Sequence, residues 1–371
     1  MQTIKVMHVI SSLKTGGAET LLCDLVAQLH KKNIQQAVVF IHPGPKVEAL
    51  RSLSIPLYHL RGAVCLFDPL FFVRFYRMVK KEKPTCIHSS LWAANVVARI
   101  IGIFTRTPVI CVLHNNNDQN GFVRNAIDML SLWLADELIA VSEGVVRTMR
   151  TYRFLPAERV KVIRNGIDAV QVRARAQEQI ISHEQLGFLP THFIIGAVGR
   201  FVALKNYSFL LTVFARIYRD FPSARLILVG GGPEESRLRA QAVRLGIKNA
   251  VCFVIGQKAY GYYRLFDCFV QSSTKEGISI ALLEAMSFGR ACVVTTSERD
   301  HEVIENGKNG YIVAANDEDA LYEALKIMIE KPFIRKKCEN AAHITIESNF
   351  TLAKMVGEYE NLYYFSSIRR L

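Results

Sequence analysis

Short runs rich in valine and isoleucine alternate, almost from end to end, with longer stretches whose apolar residues recur at helical spacing. IKVMHVI at 4–10 reads as a strand and GGAETLLCDLVAQLHKK at 16–32 as the helix after it. The pattern continues through QAVVFI (36–41), FFVRFYRMVKKEKP (71–84), TCIHSS (85–90), LWAANVVARIIGIF (91–104) and PVICVLHN (108–115). LADELIAVSE (134–143) and VKVIRNGID (160–168) supply the closing strands. Strands that alternate with helices in this way bury both sheet faces only as a parallel sheet wrapped by helices.

The pattern then stops and starts again. QVRARAQEQIISHEQLGFLP (171–190) is polar and without strand character, whereas THFIIGAVGR (191–200) is a new first strand. A helix at YSFLLTVFARIYRDFP, a strand at ARLILVGGG and a helix at PEESRLRAQAVRLG follow; AVCFVIG, CFVQSS and ACVVTT are further strands, and the tail from 320 to 365 is helical. The chain has 371 residues, about twice a usual domain, which agrees with two α/β domains. The expected division is 1–172, a linker at 173–190, a second domain at 191–345 and a closing segment at 346–371.

Charge and cysteines narrow the class. The formal net charge is +13, so an anionic partner is expected. The excess is uneven: residues 1–190 hold 23 lysines and arginines against 14 acids, and the remainder 23 against 19. Eight cysteines are scattered without a C-x-x-C pair, mostly inside apolar runs, where free cysteine behaves as a small hydrophobe. This predicts a reducing cytoplasm, with neither disulfide framework nor structural zinc. No apolar run reaches the roughly 18 residues of a spanning helix.

Two readings stand for RGAVCLFDPLFFVRFYRMVKKEKP at 61–84, a segment that mixes aromatic and aliphatic residues with cations. It is either a core helix with solvated lysines at its end or an interfacial helix attracted to anionic lipid through 61–83.

In doubly wound sheets, ligands bind beyond the carboxyl ends of strands, where glycine turns expose backbone amides. Gly16 and Gly17 occupy such a turn after the first strand, and GGG at 230–232 occupies another. Neither is a G-x-G-x-x-G fingerprint, so a nicotinamide site is poorly supported.

EGISIALLEAMSFGR, from Glu276, is more specific. Gly277 permits a tight turn, Ser279 stands where a cap would be, and a helix follows from about Ile280. Glu284 then lies about one and a half turns along, roughly 8 Å from Glu276 on the helix axis. Each carboxylate can accept a pair of hydroxyls, and the amides between them suit an anion. An anion flanked by two polyols describes a nucleotide sugar; an amphipathic helix with an exposed acid at its start fits the spacing equally.

GRFVALKN at 199–206 adds Arg200 and Lys205, a planar fork and a flexible point charge suited to a diphosphate, or a plain solvated loop. His114, after VICVL, could face a sugar hydroxyl or be structural. Asp317 and Asp319 form a D-x-D triplet that could hold Mg²⁺–diphosphate, but acids there also favour the start of the following helix.

Taken in order, GGAE (16–19), VSE (141–143), NGID (165–168), GRFVALKN, GGGPEE (230–235), the E-x7-E stretch and NGYIV (309–313) resemble the motifs of a GT-B glycosyltransferase of family 4, nearly end to end. The resemblance implies two Rossmann-like domains facing across a cleft, with the segment 346–371 packing back on the first. It implies a retaining transferase that needs no metal and no other cofactor and moves a sugar from a nucleotide donor, usually a UDP-sugar.

By the same resemblance, Arg200 and Lys205 neutralise the diphosphate, Glu284 holds the ribose and Glu276 the sugar. The amides of Gly277, Ile278 and Ser279 support phosphate and sugar; Gly16 and Gly17 approach the phosphate, and His114 touches the transferred sugar. The acceptor is expected to be a glycan or lipid-linked, in lipopolysaccharide or capsule synthesis, with the chain in the cytoplasm or peripheral on the inner membrane face. No nucleic-acid partner is expected.

Two departures stand out: SERDHE at 297–302 replaces a usual glycine pair before its glutamate, and Arg164 stands where proline is common. An NDP-sugar epimerase of the same fold and a non-catalytic sugar-nucleotide or glycan-binding protein are the alternatives.

Overall fold

A computed structural model describes residues 4–32, 34–62, 68–114, 122–149, 159–296 and 302–368. The chain forms two compact units: Met1–Gly166 together with Leu352–Leu371, and Ile167–Thr351.

In the first unit, β1 (Lys5–Ser12), β2 (Gln35–His42), β3 (Leu57–His59), β4 (Cys86–Ser90), β5 (Val109–Leu113), β6 (Glu137–Ala140) and β7 (Val160–Val162) make one sheet, ordered β3-β2-β1-β4-β5-β6-β7. Every pairing in it is parallel. Val6, Val9, Ile10, Val38, Val39, Ile87 and Ile110 are fully buried at neighbouring positions. Helices cover both faces of such a sheet, so its central strands are buried along nearly their whole length rather than alternating between core and solvent, with His8, Gln36 and His88 buried among the apolar residues.

The last helix, Leu352–Ile368, belongs to this unit. The Tyr363 hydroxyl lies 2.6 Å from His88 Nδ1 on β4, and Glu360 pairs with Lys32 at the end of the first helix.

In the second unit, β8 (Phe193–Arg200), β9 (Ala224–Gly231), β10 (Val251–Ile255), β11 (Cys268–Gln271), β12 (Ala291–Thr296) and β13 (Gly310–Ala314) are ordered β10-β9-β8-β11-β12-β13, all parallel. Each sheet starts at its centre, runs outward on one side, then returns to fill the other. The strand order of the second sheet reverses between β8 and β11, so residues after 200 and after 271 meet at its switch point.

The domain boundaries differ from those expected. The segment 173–190 is part of the second unit, not a linker. Helix Ala169–Gln177 buries Val172 and Ala176, and Ile181, Leu186 and Phe188 pack into the core beside Ile194 and Tyr263. Few apolar side chains lie in this polar stretch; Ala176, Ile181, Leu186 and Phe188 point into the core, while Ile180 and Leu189 stay exposed.

At the other end, Ile346 and Phe350 stay in the same core, so the return to the first unit begins at Leu352 rather than 346. The Ile167 amide donates to the Phe350 carbonyl at 2.9 Å, and Ile167 bridges Thr351, which ties the unit's entry and exit side by side. Cys23, Cys86, Cys111, Cys268, Cys292 and Cys338 are buried and unbridged.

Candidate functional site

Beside the switch point of the second unit, β8 and β9 end in close approach. A Cβ on Gly230 would lie 1.9 Å from the Gly199 carbonyl oxygen, so only glycine allows the two strand ends to meet. Beyond Arg200, residues Ala203–Lys205 form one 3-10 turn. That turn is stitched to the loop after β11: the Ser272 hydroxyl donates to the Lys205 carbonyl at 2.7 Å, and the Thr274 amide to the Leu204 carbonyl at 3.0 Å.

The stitching brings two of the expected residues together. Lys205 Nζ lies 2.5 Å from Glu276 Oε1, and the Ser273 hydroxyl donates to Glu276 Oε2 at 2.7 Å. Both charged side chains are about four-fifths shielded, at 17% and 21% exposure. This carboxylate is therefore held in place by a cation and a hydroxyl. Arg200, by contrast, ends β8 exposed to solvent.

The helix after the loop runs Ile280–Ser287, with Gly277, Ile278 and Ser279 leading into it. Ser279 stands at the N-cap in extended backbone, but its side chain makes no capping bond, contrary to expectation. Glu284 is 9% exposed, and the Tyr263 hydroxyl donates to its Oε2 at 2.8 Å. Sequence reasoning missed Tyr263 and Ser273. Ser273 lies two residues beyond the end of β11 and could have been noticed, whereas nothing near Tyr263 marks it.

Asp317 caps the helix Glu318–Glu330, its Oδ1 accepting from the Ala320 amide at 2.9 Å. Asp319 pairs with Arg216 at 2.8 Å. Among the described residues no cluster of three histidines, cysteines or acids could hold a metal. Of SERDHE, residues 297–301 lie outside the described residues.

In the first unit, Gly16 stands at the N-cap of helix Gly17–Lys31. A Cβ there would lie 2.2 Å from Glu19 Oε2, and the Ser12 hydroxyl donates to Glu19 Oε1 at 3.0 Å. The acid of GGAE thus folds back over its own glycine. His114 follows β5 with Nε2 buried and without a hydrogen-bond partner among the described residues. Burial lowers its pKa to about 4, so the imidazole is neutral near pH 7 and offers a hydroxyl one donor and one acceptor. Asn115–Asn117 beside it lie outside the described residues.

Two sheets of this winding, each with a glycine turn at its switch point, are the GT-B fold of glycosyltransferases. Residues 15–171 match the family described as Glycosyltransferase Family 4, and residues 178–345 match Glycosyl transferases group 1.

A Bacillus subtilis protein carrying the glycosyltransferase name EpsF is 28% identical over 310 residues, 79% of each chain. An Escherichia coli UDP-Gal:alpha-D-GlcNAc-diphosphoundecaprenol alpha-1,3-galactosyltransferase is 22% identical, covering 97% of this chain and 96% of its own. Among solved structures, Anabaena HepE in complex with UDP-glucose is similar with a TM-score of 0.84 at 22% identity, over 97% of this chain and 99% of that one. The two family matches together span most of the chain, and it belongs to glycosyltransferase family 4. It is a hexosyltransferase-type enzyme.

Proposed function

We propose that the chain moves a sugar from a UDP-sugar to a glycan or lipid-linked acceptor, with retention at the anomeric carbon, in cell-surface polysaccharide or lipopolysaccharide synthesis. The observation that carries this is the pairing of Lys205 with Glu276 beside a helix start, with Glu284 buried further along the same helix. Two carboxylates for hydroxyls then lie on one loop and helix, and a cation for a diphosphate reaches them from the turn after β8.

In this reading Arg200 and Lys205 meet the diphosphate, Glu276 the sugar hydroxyls and Glu284 the ribose pair. Gly277, Ile278 and Ser279 supply amides to phosphate and sugar. In the first unit, Gly16 and Gly17 serve a phosphate and the neutral His114 a sugar hydroxyl. The acceptor oxygen attacks the anomeric carbon on the face the diphosphate leaves, and its proton passes to a diphosphate oxygen. The protein's part is to stabilise the charge that grows on that leaving group.

Relatives support the donor and acceptor classes. HepE has been solved with UDP-glucose, and the Escherichia coli relative is named for UDP-Gal and a diphosphoundecaprenol acceptor. A Rhizobium meliloti relative is named for lipopolysaccharide core synthesis.

A thermal-shift screen over UDP-, GDP- and ADP-sugars tests the donor, since a ligand that binds only the folded state raises Tm. The expected result is a shift with one UDP-sugar, kept in full in EDTA, followed by transfer with retained configuration. A shift with GDP- or ADP-sugars alone refutes the UDP assignment. Loss of transfer in EDTA with recovery in Mn²⁺ refutes the metal-free reading and restores the metal role of Asp317 and Asp319.

Attachment to an anionic membrane is the second part of the proposal. Helix Pro69–Glu82 is capped by Asp68, whose side chain accepts from the Leu70 amide at 2.9 Å. Its inner face buries Phe71, Phe75 and Val79, each worth about 1.5–3 kcal/mol of apolar burial. Its outer face leaves Leu70, Val73 and Tyr76 exposed among Arg74, Arg77, Lys80 and Lys81. Apolar side chains set among cations on an open face suit anionic lipid, each cation contributing about 1 kcal/mol. Residues 63–67 of the segment lie outside the described residues. No helix among the described residues is long and apolar enough to cross a membrane.

The protein is expected to float with anionic liposomes at low salt and to release at high salt. Glutamine at Arg77, Lys80, Lys81 and Lys83 together should abolish flotation and leave UDP affinity intact. Equal flotation with neutral vesicles, or none with anionic ones, would reduce the helix to ordinary core.

A further inference from the structure

We propose that Tyr263 is a positioning residue that fixes the Glu284 carboxylate for the two ribose hydroxyls of the donor, an inference that rests on the ribose role given to Glu284 above. Tyr263 closes the short helix Tyr260–Tyr263 and is fully buried. Its ring is stacked on Phe288 at 5.7 Å and 18°, edge-on to Phe266 at 5.6 Å, and tilted against Phe269 at 6.2 Å. Three aromatic neighbours leave the hydroxyl one place to point. It points at Glu284 Oε2, 2.8 Å away.

Phe288 stands four residues beyond Glu284, just past the end of the same helix. The tyrosine therefore grips one turn of that helix at both ends, by its ring at 288 and by its hydroxyl at 284. Burial, then the Glu284 charge beside it, pushes its phenol pKa well above the ordinary value, so the hydroxyl remains a donor.

The chemistry gives this contact a purpose beyond packing. The last torsion of a glutamate is broad, so an unheld carboxylate samples many planes. A donor on one oxygen selects a plane, and a carboxylate has about four lone-pair sites, enough to keep accepting from a ligand. A diol on adjacent ribose carbons presents two donors at fixed spacing, and only an oriented carboxylate can take both. Loss of the tyrosine hydroxyl should therefore cost affinity for the ribose hydroxyls in particular, and not for uracil or diphosphate.

The test is calorimetric titration of the full chain with UDP and with 2′,3′-dideoxy-UDP, for wild type and Tyr263→Phe. The phenylalanine keeps the ring contacts and removes only the donor. The variant is expected to bind UDP about 5- to 20-fold more weakly, less than the whole worth of a charge-assisted bond, and dideoxy-UDP within about twofold of wild type. A wild type that discriminates between the two ligands, with a variant that discriminates equally, overturns the role of Tyr263 and leaves Glu284 on the ribose. A wild type that binds both ligands alike overturns the ribose assignment and the inference with it.

Should Tyr263→Phe fail to fold, because a buried carboxylate has lost a donor, the double variant with Glu284→Ala removes that carboxylate as well. It should bind UDP as Glu284→Ala alone does. A further loss in the double variant shows that Tyr263 acts by another route and overturns the proposal.

Discussion

Alanine at Arg200 or at Lys205 is expected to lower kcat on the order of 10²-fold or more, with a smaller change in the binding of the sugar portion of the donor. The diphosphate becomes more negative as the glycosidic bond breaks, so a fixed cation beside it is worth more in the transition state than in the ground state. The two positions differ in what else they lose. Arg200 is exposed at the end of β8, so its removal leaves the surrounding loop in place. Lys205 is also the counter-charge of Glu276, and its removal leaves that carboxylate with Ser273 as a partner. Lys205→Ala should therefore also raise KM for the donor, whereas Arg200→Ala acts mainly on turnover. Steady-state kinetics over donor concentration separate the two effects. If both variants keep near-wild-type turnover, the diphosphate is held elsewhere.

Glu284→Ala should weaken UDP binding by about 10- to 150-fold, the range given by one lost charge-assisted hydrogen-bonded pair of roughly 1.5–3 kcal/mol. The structure adds a second effect. The same substitution strands the Tyr263 hydroxyl in a fully buried position, at a cost of about 1–3 kcal/mol of stability. A fall in Tm is thus expected together with the fall in affinity. Glu284→Gln keeps an acceptor for Tyr263 and should recover most of the stability while recovering less of the UDP affinity, because the charge is gone. Calorimetry and thermal melts on the two variants distinguish loss of ligand contact from loss of fold. Unchanged UDP affinity in Glu284→Ala would remove the ribose assignment.

Much of the fold was legible because strand and helix periodicity is a local property. Valine-rich runs and helical spacing pick out β1, β2, β4 to β7 and β8 to β12 from neighbours two to four residues apart. Several short elements were not read: β3 has three residues, and helices Lys46–Arg51 and Glu143–Met149 have six and seven. Helix Phe122–Ser131 was passed over as well, although it is ten residues long.

Capping was half legible. Asp317 at the start of its helix follows from acids ahead of an amphipathic run, and the structure shows that bond. Ser279 obeys the same local rule and yet makes no side-chain cap. It is 6% exposed, so its orientation is set by packing as well as by the amides nearby.

By itself, then, the sequence determined two tandem doubly wound units, the order of the family motifs along them, and the loop-and-helix on which Glu276 and Glu284 stand. Only the tertiary structure decided who holds those carboxylates. Lys205 and Glu276 are 71 residues apart and meet because β8 and β11 are neighbours in the second sheet, a fact of strand order that no local pattern contains. Tyr263 reaches Glu284 across 21 residues for the same kind of reason, since a short helix before β11 and the helix after it pack over one sheet face. The unit boundary at Gly166 rather than 172 has that origin too. A handful of apolar side chains in a polar stretch become core only when a neighbouring surface exists to bury them. Composition counts those side chains, whereas burial depends on where they point.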